Sequence, residues 1–228
     1  MVSIFKNFIF KHNLHEVKWI DLTWLMILPI INTNYIIAGS LAESGKNIAL
    51  TIDKKIPFVS VFIFPYIYWY VFILSKDRKR YLKALFSIYM GMCICYLFYY
   101  LYPVEIYRPV IANTTISNRL VNIIYENDRP FNCFPSIHVL NTYIIMRFTK
   151  FKDNKKWFLY TRITGILIIL STLFVKQHFI LDGIAAVIIG EIVILASKKI
   201  KDKYIQKALN IPYKVFDRVK NNSNIPIN

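Results

Sequence analysis

Three residues of the chain have the types and the spacing to do chemistry. His178 and Asp182 are four residues apart, which on a helix places both side chains on one face within reach of each other. A carboxylate that accepts the proton of one imidazole nitrogen fixes the tautomer and makes the other nitrogen a better base or nucleophile. His138 follows Pro135, a residue that suits the first turn of a helix. We therefore predict a site for acid–base or nucleophilic catalysis formed by His138, His178 and Asp182.

The same residue types also occur in sites that are not catalytic. A buried histidine satisfied by an aspartate is a common structural pair, and a His/Asp cluster within a membrane also serves as a proton relay in transporters. Ligation of haem by both histidines is a further alternative, although such ligands usually lie deeper and among glycines. The remaining histidines, His12 and His15, are predicted to be solvated.

The cysteines do not indicate a metal site or a disulfide framework. Cys93, Cys95 and Cys133 include no CxxC pair, and an odd count gives no even set of bridges. We interpret them as packing residues. No cofactor is predicted.

The composition predicts a membrane protein. Of the residues, 56% are hydrophobic and 18% are charged, whereas soluble domains have about 25% charged residues. A membrane-spanning helix needs about 20 mostly apolar residues, and six segments approach this requirement. They are Leu22–Ala42, Ile56–Ser75, Ala84–Val104, Pro135–Met146 extending to Thr149, Trp157–Val175 and His178–Ser197. The predicted fold is an all-α membrane bundle of six transmembrane helices.

The charges predict the orientation of this bundle. Alternate loops divide the Lys and Arg residues into 21 on one side and seven on the other, so both termini are predicted to be cytoplasmic and the two histidines to lie near the outer face. The net charge of +16 lies in short segments between apolar runs, which favours contact with lipid headgroups over nucleic acid. We divide the chain into an amphipathic segment (1–21), a membrane domain (22–197) and a basic cytoplasmic tail (198–228) expected to lie along the inner surface.

The two histidine segments resemble a known family. Phe134-Pro135-Ser136-x-His138 and Ser171-x6-His178-x3-Asp182 are similar to the second and third motifs of the type 2 phosphatidic acid phosphatase (PAP2) superfamily, in particular its inositolphosphotransferase-like branch. That superfamily includes lipid phosphatases, undecaprenyl diphosphate phosphatases, sphingomyelin synthases and vanadium haloperoxidases. The resemblance extends from about Asp53 to Glu191.

The resemblance implies a role for each residue of the two motifs. His178 would attack phosphorus and form a phosphohistidine, and Asp182 would orient it. His138 would protonate the leaving alkoxide and then activate water or an acceptor alcohol. Ser136 would contact the phosphate, beside the backbone N–H groups of a helix start. No metal would be needed.

The phosphate-binding cations of the motifs are incomplete. Thr172 stands where the family's third motif has arginine, and Lys176 is the predicted substitute, although a lysine that extends to water is the alternative. Arg108 ends a partial first motif that has Leu101 in place of lysine, and Arg129 is a rival. We prefer Arg108 because it follows the third predicted span directly.

The resulting hypothesis is a membrane phosphatase that acts on a lipid or polyprenyl phosphate ester at the extracytoplasmic face. The first alternative is a phosphotransferase that moves a phospho-headgroup to an alcohol. The second is a transporter with a His/Asp proton relay.

Overall fold

The computed structural model describes residues 19–68, 77–152 and 154–222. Within these ranges the chain is helical and forms no β-strand, which confirms the predicted all-α class. A 3₁₀ segment, Trp19–Met26, leads into the first helix, and a second, Ser60–Phe62, precedes the third. The helices are α1 (Ile27–Leu41), α2 (Thr51–Lys55), α3 (Ile63–Tyr68), α4 (Arg78–Leu101), α5 (Ile116–Asn127), α6 (Ile137–Phe148), α7 (Lys155–Phe174), α8 (Ile180–Lys198) and α9 (Asp202–Asn222).

Four of the described helical segments are long and apolar enough to cross a membrane: Ile20–Leu41, α4, α7 and α8. They match four of the six predicted spans. The predicted span Ile56–Ser75 is described only as far as residue 68. The predicted span that begins at Pro135 forms α6, which has 12 residues and is therefore about 18 Å long, shorter than the bilayer's hydrocarbon core of about 30 Å. Residues 1–18 of the predicted amphipathic segment (1–21) lie outside the described residues.

The short helix α6 forms the centre of the bundle. Eight of its 12 residues are buried, and it packs against α4, α7 and α8. Each of these neighbours presents a glycine to it: a Cβ atom on Gly165 would overlap Met146 Sδ, and those on Gly91 and Gly190 would lie 2.8 and 2.9 Å from side chains of α6. Small residues allow helix backbones to approach closely in membranes, so these glycines let three long helices close around α6.

The helix directions define two ends of the bundle. At one end, which we call the site end, α4 and α7 finish while α6 and α8 begin. Backbone contacts join the connections there: Ser136 N donates to Asp182 O (3.2 Å), and Val59 N donates to Phe174 O (3.0 Å). At the other end, the basic end, α4 begins at Arg78 and α8 finishes at Lys198. The site end therefore contains the first turns of α6, which includes His138, and of α8, which begins just after His178.

Candidate active site

His178 lies in a tight turn between α7 and α8. The backbone N–H groups of Gln177 and His178 both donate to Thr172 O, at 3.0 and 3.1 Å, and Lys176 adopts a left-handed conformation with φ of 51°. Helix α8 begins only at Ile180. The prediction that His178 and Asp182 share a helix face was therefore wrong, because the chain reverses direction before the helix starts.

The contact between His178 and Asp182 forms nevertheless. His178 Nδ1 lies 2.9 Å from Cys133 O and 3.3 Å from Asp182 Oδ2. A carbonyl oxygen and a carboxylate are acceptors, so the proton of the neutral imidazole must be on Nδ1. His178 Nε2 then carries the free electron pair. This is the tautomer that a nucleophile or a general base requires.

Asp182 is held in place by the start of its own helix. Its Oδ2 atom also accepts a hydrogen bond from Phe179 N at 2.8 Å, as expected for an acidic residue in a helix's first turn. The side chain is fully buried. The first turn of α8 therefore fixes the position of the Asp182 carboxylate, and the carboxylate fixes the orientation of the His178 ring.

His138 lies in the first turn of α6, and its ring centroid is 6.0 Å from that of His178. On another side the His138 ring stacks on Tyr66, with centroids 4.3 Å apart. Pro135 lies before this helix rather than in its first turn, and Ser136 caps the helix, because its hydroxyl accepts from Val139 N at 3.3 Å. The structure thus brings the two predicted histidines together, with Ser136 buried at the N-terminus of α6.

A cavity of about 420 Å³ reaches His178 from the loops of the site end. Its volume is within the usual range for small-molecule pockets. Most of its lining is apolar, and two lysines add positive charge. The lining residues are Asn47, Ala49, Asp53, Lys54, Ile56, Phe58, Ile106, Tyr107, Pro109, Leu173, Lys176, His178 and Phe179. An apolar wall with a cationic edge beside a histidine suits an amphiphilic anion.

Lys176 lines this cavity, but its ammonium group also binds protein. Lys176 Nζ donates to Ile56 O (2.5 Å) and to Asp53 O (3.2 Å). Burial lowers the pKa of Lys176, and the nearby Asp53 carboxylate acts in the opposite direction. The lysine therefore connects the turn before His178 to the loop that contains α2, in addition to placing a charge at the cavity.

Arg108 contacts the residue next to His178 rather than the cavity itself. Its Nη2 atom donates to Gln177 Oε1 at 2.6 Å and lies 3.4 Å from Asp128 Oδ2, and its guanidinium covers the Tyr125 ring. Burial raises the pKa of Asp128, while a hydrogen bond from Tyr35 and the charge of Arg108 lower it. Arg129, the rival in the sequence, donates to Ser40 O.

Asp53 is a site residue that sequence reasoning missed. Its carboxylate is buried and accepts from Ile180 N at 2.9 Å and from Leu50 N at 2.8 Å. These bonds hold the first turn of α8, two residues after His178, against the loop that lines the cavity. A carboxylate in the first turn of the short helix α2 was the available signal, but the lysines that follow made this segment resemble a solvated loop.

Asp53 and its neighbour Lys54 are expected to affect different kinetic constants of the phosphate-ester hydrolysis that the sequence predicts. Asp53→Ala releases Ile180 N and loosens His178, so we expect kcat to fall by about tenfold to a hundredfold with little change in KM, because a misplaced catalytic group slows the chemical step. Lys54→Ala removes only a charge at the cavity and should raise KM instead. Steady-state kinetics of both variants test this. Equal loss of kcat in both would contradict a positioning role for Asp53.

The described residues form a helical bundle with four candidate membrane spans, and a His–His–Asp cluster lies at one end of it. His178 and Asp182 are buried, and His138 is partly exposed. Residues 58–196 match the family model of the PAP2 superfamily. The match covers more than half of the chain, so the protein belongs to the PAP2 superfamily. This membership suggests phosphatase or phosphotransferase activity. Searches of curated proteins and of solved structures found no match.

Proposed function

We propose that the protein is a membrane phosphatase that hydrolyses a lipid or polyprenyl phosphate ester through a phosphohistidine on His178. The observation that carries this proposal is the pair of acceptors at His178 Nδ1, Cys133 O and Asp182 Oδ2, which leaves Nε2 as the nucleophilic nitrogen. Membership of the PAP2 superfamily supports the same reaction class.

In the first step His178 Nε2 attacks phosphorus, and the bond between phosphorus and the alcohol oxygen breaks. Protonated His138 gives its proton to the departing alkoxide. In the second step neutral His138 takes a proton from water, the hydroxide attacks the phosphohistidine, and phosphate leaves as His178 is restored. The N-terminus of α6 at Ser136 and the charge of Lys176 are the groups proposed to stabilise the phosphoryl oxygens. Arg108 would act from farther away, through Gln177.

An alcohol in place of water in the second step would make the protein a phosphotransferase of the inositolphosphotransferase-like kind. The departures of the sequence at Leu101 and Thr172 favour this second candidate, because they alter the phosphate-binding part of the motifs. Both reactions share the first step and the same histidines. They differ only in whether water or an alcohol attacks the phosphohistidine.

The purified protein, given phosphatidate or a polyprenyl diphosphate in EDTA, is expected to release phosphate, because the proposed chemistry uses histidines and no metal. A parallel reaction with an added alcohol separates the two candidates, since a phosphotransferase moves the phosphoryl group to the alcohol and forms a new phosphate monoester instead of free phosphate. An inactive His178 variant is the control for contaminating phosphatases. Failure to turn over any phosphate ester, with or without an alcohol, would count against both enzymes and favour the proton-relay alternative.

We further propose six membrane crossings, with the site end outside and the basic end in the cytoplasm, on the basis of the charge distribution. In this proposal the 12-residue α6 crosses inside the protein, enclosed by α4, α7 and α8, so its length need not match the thickness of the lipid. Val110 at the site end and Lys150 at the basic end are both exposed. In a Cys93→Ser background, an impermeant thiol reagent added to intact cells is expected to label Val110→Cys and to spare Lys150→Cys. The reverse pattern would place the site in the cytoplasm.

A further inference from the structure

Helix α9 has more apolar surface than its packing uses. It follows α8, a candidate membrane span, after a connection of three residues (199–201), and it packs on α4 and on the 3₁₀ segment at the basic end. Ile205 and Leu209, on one face of α9, are buried, so we take this face as the one that packs on the bundle. Arg78 strengthens the contact, because its guanidinium lies over the Tyr213 ring while it forms a buried ion pair with Asp21 at 2.6 Å.

A second apolar stripe on α9 is left uncovered. Tyr204, Ile211 and Val215 are 56, 44 and 56% exposed. They are separated by seven and four residues, so they lie on one face of the helix. With a turn of about 100° per residue, this face is rotated by roughly a third of a turn from the Ile205–Leu209 contact. It therefore points along the side of the bundle rather than into it.

Positive charge lies directly beside the stripe. Lys203, Lys207, Lys214 and Arg218 are all exposed and occupy the face next to Ile211 and Val215, opposite the packing contact. Gln206 lies on the far side of the helix from the apolar stripe. An apolar face flanked by lysines and arginines is the pattern of a helix that lies in a membrane interface, where the basic side chains reach anionic headgroups.

We propose that α9 binds the surface of the adjacent membrane leaflet through the Tyr204–Ile211–Val215 stripe, and that its basic face selects anionic lipids. Two observations favour lipid over a protein partner. The short connection from α8 keeps α9 at the level where that candidate span leaves the bilayer. The charge of the flanking face complements anionic headgroups.

The test uses the full chain in lipid nanodiscs, with a nitroxide label at one introduced cysteine. Cys93→Ser removes the exposed native thiol, and Cys95 and Cys133 are buried. Ile211→Cys and Val215→Cys carry the label on the stripe, and Gln206→Cys carries it on the opposite side as the matched control. Electron paramagnetic resonance then compares relaxation of each label by oxygen, which enters lipid, and by a water-soluble nickel chelate.

Labels at positions 211 and 215 are expected to be relaxed mainly by oxygen and the label at 206 mainly by nickel. The contrast should increase when phosphatidylglycerol is mixed into phosphatidylcholine. In the Lys207→Glu/Lys214→Glu variant, and at high salt, the contrast should no longer depend on the lipid. Equal nickel access at 206 and 211 in both lipids would overturn the proposal. Spin–spin broadening at 211 that is independent of lipid would overturn it as well, because it would show contact between two copies of the chain.

Discussion

Changing His178 to asparagine is expected to lower kcat for phosphate release by more than about 10⁴-fold, because removal of a nucleophile from a catalytic unit abolishes covalent catalysis. Asparagine is chosen for a structural reason: its Nδ2 occupies the place of the imidazole Nδ1 and retains a donor for Cys133 O, which accepts at 2.9 Å in the parent. The fold should therefore survive while the nucleophilic nitrogen is lost. Phosphate release from phosphatidate, measured in EDTA, gives the magnitude.

A trapping experiment shows whether the loss comes from the covalent step. The parent enzyme, mixed with radiolabelled substrate and quenched in alkali, should retain phosphate on the protein, and acid should release it, as for a phosphohistidine. His178→Asn should retain none. His15→Asn, which changes a histidine that the sequence predicts to be solvated, is the matched control and should behave as the parent does. Retention of label by His178→Asn would assign the nucleophile to another residue.

Changing His138 to glutamine is expected to lower kcat for an alkyl phosphate ester by about 10²- to 10⁴-fold, the usual contribution of a general acid or base. The effect should depend on the leaving group. An alkoxide needs the proton of His138 to depart, whereas a nitrophenolate does not. With a nitrophenyl phosphate the first step should therefore remain fast in His138→Gln, and only the attack of water should be slow.

Rapid mixing distinguishes these steps. His138→Gln should give a burst of nitrophenol equal to one product per site, followed by slow turnover, because the phosphohistidine accumulates. His178→Asn provides the comparison and should show neither burst nor turnover. If His138→Gln slows alkyl and nitrophenyl esters equally and shows no burst, the residue is not the acid of the first step, and its ring, stacked on Tyr66 at 4.3 Å, serves the fold instead.

The helices were predictable in proportion to their hydrophobicity. The candidate spans α4, α7 and α8 agree with predicted spans to within about six residues at each end, because long, mostly apolar runs have few other stable structures in a membrane. The central helix α6 was less predictable. Helix α6 is short, and packing against three neighbouring helices buries it. The glycines that permit this packing lie on those neighbours, far away in the sequence.

The basic tail was expected to lie along the inner surface of the membrane, but the structure divides its apolar residues between two surfaces. Ile205 and Leu209 pack against the bundle, whereas Tyr204 is exposed. Periodicity shows which residues share a face, but it does not show whether protein or lipid covers that face. Only the position of α4 beside α9 separates the two.

The trio His138, His178 and Asp182 was selected from the sequence alone, because a His and an Asp four residues apart and a second His at a helix start are local features. Their arrangement depended on the tertiary structure. The turn that removes His178 from α8, and the Cys133 carbonyl that sets its tautomer, combine segments separated by 45 residues. The predicted phosphate-binding cations show the same division. Lys176 and Arg108 were identified from the sequence, whereas their carbonyl and carboxylate partners come from distant loops. Side-chain chemistry is local in sequence, but hydrogen-bond partners are decided by which segments the fold brings into contact.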